Sequence, residues 1–208
     1  MKTRKVLKRT IKNIFLLLVL PAYLLYELLC VFANRDGTFQ SFSQAMSLIP
    51  GKLGIYTRAA FYRLACTDTS DEISIGFLTI FSHADTTIEK GVYIGPQCNI
   101  GKCRIGQDTL IGSGVHILSG NKQHYFEEES RPIQEQGGLY EKITIGKDCW
   151  LGNNSSILSG LLDSCIVAAG AVYTKSAMEA SIILAGNPAK KNWGTKCHKN
   201  RDLNHAPT

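Results

Sequence analysis

His124 lies in a long interruption, residues 119–142, of a sequence that is otherwise regular from about 73 to 176. Histidine changes charge near neutrality, so it can take or give a proton at physiological pH. A loop of more than about 15 residues without regular structure is uncommon in a compact domain unless it is functional or disordered. This one carries Tyr125, Phe126, Pro132 and Tyr140 with its histidine and is expected to be an ordered active-site loop, with Glu127-Glu128-Glu129 as solvated surface. Cysteine chemistry is a weaker prospect. Seven cysteines, an odd number with no Cys-x-x-Cys pair, argue against a disulfide framework and point to reduced thiols in a cytosolic setting.

The interrupted pattern is an aliphatic residue followed by glycine: Ile75-Gly76, Ile94-Gly95, Ile100-Gly101, Ile105-Gly106, Ile111-Gly112, Ile145-Gly146 and Leu151-Gly152. Steps of five to six residues within each run match neither the helical period of about 3.6 nor the strand period of 2. They fit a hexapeptide solenoid, in which one aliphatic per short strand points inward and the glycine permits a tight turn. Three hexapeptides make one coil, and about three repeats are needed before stacking buries a continuous core. A sandwich spaces its turns at about 8–12 residues and fits less well.

Elements outside the repeat suggest how the solenoid is placed. The formal net charge is +6, and Lys2, Arg4, Lys5, Lys8, Arg9 and Lys12 put much of the excess at the amino end. This reads as a membrane-surface anchor, with no nucleic-acid partner expected. Residues 14–33 are apolar but for Glu27 and long enough to span a bilayer, yet Pro21 interrupts them and basic residues flank both ends. The expectation is a kinked helical hairpin or re-entrant (monotopic) anchor at the cytoplasmic face of the inner or plasma membrane. A single-pass span and a helix buried against a neighbouring subunit are the alternatives. The expected organisation is an anchor over 1–35, an amphipathic helical connector over 36–72, a β-helix domain over 73–193 with its loop at 119–142, and a polar tail over 194–208.

The repeat, His124, Cys149-Trp150-Leu151-Gly152, Val172-Tyr173-Thr174-Lys175 and Gly186-Asn187-Pro188-Ala189-Lys190 together resemble the hexapeptide acyltransferases. The similarity is greatest to the branch of maltose, galactoside, nodulation-factor and streptogramin O-acetyltransferases. It implies an all-β, left-handed parallel β-helix assembled as a homotrimer, with the active site between subunits and acetyl-CoA as co-substrate. No metal is expected. It also implies His124 as general base toward a hydroxyl of a sugar, a lipid-linked polysaccharide precursor or another small acceptor. Trp150 would wall the cleft beside the pantetheine or the acceptor, Gly152 would let the cofactor approach the backbone closely, and Ala169, Thr174 and Lys175 would line the CoA channel, with Asn187 and Lys190 near its nucleotide end. Lys175 or Lys190 could pair with a CoA phosphate as a point charge. In the maltose-acetyltransferase type the base lies nearer the preceding strand, at a spacing that here falls on Lys122.

Two other classes remain open. The γ-class carbonic anhydrases share the fold and bind metal through three histidines, for which His83, His116 and His124 are the candidates. Their spacing fits poorly: His83 to His116 is 33 residues, short of two full coils. His116 reads better as a strand residue and His83 as a turn or interface residue. The third class is a noncatalytic solenoid scaffold.

Overall fold

A computed structural model describes residues 2–194. Three helices, α1 (Lys2–Cys30), α2 (Arg35–Ser47) and α3 (Gly51–Ala65), precede a solenoid of short parallel strands. The strands stack on three faces. On the first, Ile75, Ile94, Ile111, Leu151, Val167 and Leu184 pair in succession and all point inward. The second carries Phe81, Ile100, Ile117, Ile157 and Tyr173 inward. The third carries Ile88, Ile105 and Ile145, and Leu161 bridges to Ile145 where the repeat lacks its aliphatic-glycine pair. Each inward aliphatic is worth about 1.5–3 kcal/mol of burial, and none is shielded until the next coil lies on it.

The glycines serve a different purpose from the expected tight turn. The glycines of the aliphatic-glycine pairs are not left-handed; that backbone falls further along the corner, at Leu78, Gln97, Gly114, Asn154 and Gly170. A Cβ on Gly76 would stand 2.4 Å from the backbone nitrogen of Pro96, and one on Gly152 2.4 Å from that of Ala169. Glycine follows the inward residue because the adjacent coil passes too close for a side chain. At other corners buried threonines tie coil to coil. Thr79 Oγ1 donates to the Gly95 carbonyl at 2.7 Å and accepts from the Cys98 N–H at 3.1 Å, and Thr109 repeats this with Gly146 and Cys149.

The helices cover the first coil, so the chain is not all-β. The Ser43 hydroxyl accepts from the Phe81 N–H at 2.8 Å and meets the Tyr62 hydroxyl at 2.7 Å. Arg58, fully buried on α3, donates from Nε to the Ile75 carbonyl at 2.9 Å and from Nη1 to the carbonyls of Met46 and Ile49 at 3.2 and 2.8 Å. It thereby ties the end of α2 to the first coil, although its Nη2 is buried without a partner. At the opposite end, Ile182–Gly186 pairs with the returning antiparallel strand Ala189–Gly194.

The expected hairpin at Pro21 does not form. Pro21 costs α1 a backbone hydrogen bond, but the helix continues through it to Cys30. Packing of one face explains the continuity. Val19 and Tyr26 are buried there, Phe15 stacks on Tyr56, and Tyr26 meets Phe39, Phe42 and Phe61 edge-on.

Candidate active site

The excursion after the His116–Ile117 strand has its own hydrogen bonding. Leu139 N–H donates to the Lys122 carbonyl at 2.7 Å and Tyr125 N–H to that of Gly137 at 3.0 Å, so its two arms run side by side. Toward the tip, a turn of 3-10 helix at Ile133–Glu135 is followed by Gln136, whose side-chain amide donates to the carbonyls of Glu128 and Arg131, each at 2.9 Å. Glu127, Glu128 and Glu129 are exposed, as expected of a solvated run. At the base, Lys142 and Lys102 converge on Asp85 at 2.7 and 3.2 Å and hold its carboxyl below the usual range, the Lys142 hydrogen bond contributing most.

A cleft of about 610 Å³ opens between α2 and the second solenoid face. Asn99 and His116, paired in register, both line it from that face. Asp36 and Gln40 line it from α2, and Ser119, Gln123 and Tyr140 from the loop and its base. Asp36 is fixed by accepting from the Ala84 N–H at 3.0 Å. His83 is also in the cleft, with Nδ1 2.8 Å from the Ser82 hydroxyl and its ring 5.3 Å from that of Tyr140. Burial lowers its pKa, against the opposing pull of Asp36, and so favours the neutral imidazole. His124 itself is exposed and follows Gln123, which puts it at the cleft's edge and outside its lining.

A second depression, about 630 Å³ and largely apolar, runs along the first face. The outward partners of the inward ladder there are Ser74, Tyr93, Leu110, Trp150, Ile166 and Ile183. The structure brings Trp150, Gly152 and Ala169 together in this groove with Ile166 and Ile183. Thr174 and Lys175 follow the second-face strand Val172–Tyr173, and Asn187 and Lys190 lie on the terminal hairpin. None of these four lines either depression.

Tyr140 belongs to the loop marked out by the broken repeat, whereas Asp36, Gln40 and Asn99 carry no such mark in the sequence. For Asn99 and His116 a signal existed: in a two-residue strand, the residue before the inward aliphatic must face outward.

These coils match known proteins. The family model described as bacterial transferase hexapeptide (six repeats) fits residues 85–119. Residues 85–119 thus match repeats of this type. Over 109 residues this chain is 32% identical to a probable macrolide acetyltransferase of Lysinibacillus sphaericus, covering 47% of this chain and 60% of that protein. It spans between 54% and 60% of the length of the three curated relatives it matches. Its fold is shared with a maltose O-acetyltransferase from Clostridium difficile, at a TM-score of 0.64 and 14% identity over 78% of this chain and 89% of the other. It is shared likewise with a galactoside acetyltransferase in complex with coenzyme A, at a TM-score of 0.62 and 15% identity over 82% and 88%.

Among the described residues no three His, Cys, Asp or Glu side chains converge as a metal would require. His83 and His116 line one cleft while His124 stands outside its lining. Burial pushes the thiols of Cys103 and Cys149 up to about 12 and about 11, which leaves little thiolate at neutral pH.

Proposed function

We propose that this protein is an acetyl-CoA-dependent O-acetyltransferase acting on a hydroxyl of a sugar or lipid-linked polysaccharide precursor. The observation that carries this reading is the apolar groove of Trp150, Gly152 and Ala169 on the same solenoid that presents His124 on a folded loop. The groove suits the pantetheine arm of CoA. The polar cleft beside the loop, lined by Asp36, Asn99 and Tyr140, suits a hydroxyl-rich acceptor.

In the proposed reaction the His124 imidazole takes the proton of the acceptor hydroxyl as its oxygen attacks the thioester carbonyl. Backbone N–H groups of a coil corner hold the tetrahedral oxyanion. Collapse breaks the carbon–sulfur bond, and the imidazolium returns its proton to the departing CoA thiolate. Because the loop carries His124 out at the edge of its own cleft, the reading includes a homotrimer in which sites form between subunits. Thr174, Lys175, Asn187 and Lys190 are assigned to the far end of the CoA channel, where either lysine could meet a phosphate. Residues 1–35 attach the enzyme to the cytoplasmic face of a membrane.

The test is binding followed by turnover. Acetyl-CoA should raise the thermal unfolding temperature, and His124→Ala should cost at least about a hundredfold in turnover while acetyl-CoA still binds. No thermal shift at saturating acetyl-CoA would move the scaffold reading ahead. Mass spectrometry of glycans and lipids with and without the protein, seeking the added mass of one acetyl group, identifies the acceptor.

A further inference from the structure

The two faces of α1 differ in kind. One is part of the folded core: Val19 and Tyr26 are buried, and Lys12, 8% exposed, reaches Asp71 at 3.6 Å beside the Arg9–Asp71 pair at 2.6 Å. The other presents Leu7, Ile14, Leu17, Leu24 and Leu28, spaced by three, four or seven residues so that they form one stripe. Leu17 and Leu24 are 70% and 58% exposed, and Phe32 just beyond the helix is 81% exposed. Between Ile14 and Phe32 the one charge is Glu27, which is half-buried and paired with Arg35 at 3.0 Å.

We propose that α1 lies in the plane of an anionic lipid surface, apolar stripe down, and does not cross the bilayer. The proposal rests on the membrane attachment read above and deepens it by fixing the orientation. Residues Val6–Cys30 are long and apolar enough to span. A span, however, would need lipid on every side of the helix, whereas one face of α1 packs on α3 and α2 through Phe15 and Tyr26. Freeing it would expose the Tyr26, Phe39 and Phe61 cluster and break the pairing of Lys12 and Arg9 with Asp71. Charge selects the occupant. Lys2, Arg4, Lys5 and Lys8 lie at the amino end of the stripe, in addition to Arg9 and Lys12 that Asp71 already engages, and such a basic end suits a helix bound among anionic headgroups. The same geometry brings the acceptor cleft to the surface, because Asp36 in its wall follows Phe32 by four residues. A lipid-linked acceptor could then be reached without leaving its leaflet.

The test uses the full chain and flotation with vesicles of phosphatidylcholine mixed with phosphatidylglycerol, against phosphatidylcholine alone. The expected result is flotation with the anionic vesicles that weakens as salt rises. The double substitution Leu17→Glu with Leu24→Glu should reduce flotation at least about tenfold while leaving the unfolding temperature and acetyl-CoA binding unchanged. A double variant that still floats and resists alkaline carbonate would establish a span and overturn the proposal. So would a wild-type chain that ignores vesicles, especially if the double variant lowers its oligomeric mass, since a second copy would then cover the stripe. Flotation without acetyl-CoA binding would uphold the surface and reject only the enzymatic reading.

Discussion

Gly138 and Gln123 touch backbone to backbone: a Cβ on Gly138 would lie 1.8 Å from the Gln123 carbonyl oxygen and 2.9 Å from the His124 nitrogen. The loop arm carrying His124 is thus held against the opposite arm by the absence of a side chain.

Gly138→Ala is expected to push the His124 arm outward and cut acetyl transfer by on the order of a hundredfold, the scale set by misplacing a reacting group by about 1 Å. Acetyl-CoA affinity and the unfolding temperature should change little, because the displaced segment lies outside the coils. Steady-state kinetics with calorimetric binding measures both; an unchanged turnover would show that this contact does not position the base.

Arg58→Met should destabilise the protein by at least about 2 kcal/mol, because the carbonyls of Ile75, Met46 and Ile49 lose their buried donor. Denaturant unfolding checks this. Since Arg58 holds the end of α2 to the first coil and α2 carries Asp36, acceptor KM should rise in the variant even where folded protein remains.

His83 gives stability a pH dependence of definite sign. Burial lowers its folded-state pKa below the ordinary 6.5, so the unfolded chain binds a proton more readily. Stability should therefore fall as pH drops through that ordinary value toward the folded one, and be regained above it. His83→Gln should remove this component of the pH profile measured by urea unfolding.

Thiol chemistry should be suppressed in the native state. With Cys103 and Cys149 buried and raised to about 12 and about 11, neither should be alkylated at neutral pH until the chain unfolds. Peptide mass spectrometry after brief alkylation, native against denatured, reads this directly. Rapid native labelling at either site would contradict their burial.

How far the sequence could be read depended on whether a feature was local. Ile94 and Ile111 declare the coil because their spacing recurs, and the same period exposes the loop holding His124 as its exception. The cleft has no such period. Asp36 meets Ala84 across 48 positions, and Arg58 meets Ile75 through a backbone carbonyl that carries no residue identity. The aliphatic-glycine pair was legible as a pattern and misread as a cause, since a glycine required by the neighbouring coil and one required by a turn look identical in a single chain. Pro21 likewise signals a break only locally: the tertiary contacts of Tyr26 outweigh its penalty and the helix runs on.

The helical layer on the first coil bears on how the solenoid can grow. An open parallel stack offers unpaired backbone to any passing strand, and the rows could then grow by addition of further chains. Here the helical layer seals one end through Arg58 and Ser43, and the returning Ala189–Gly194 strand backs the last rung of the first face at the other. With the first coil stoppered, coils can be gained or lost beyond it without disturbing that seal. Length thus becomes a quantity that evolution can vary without reopening that end.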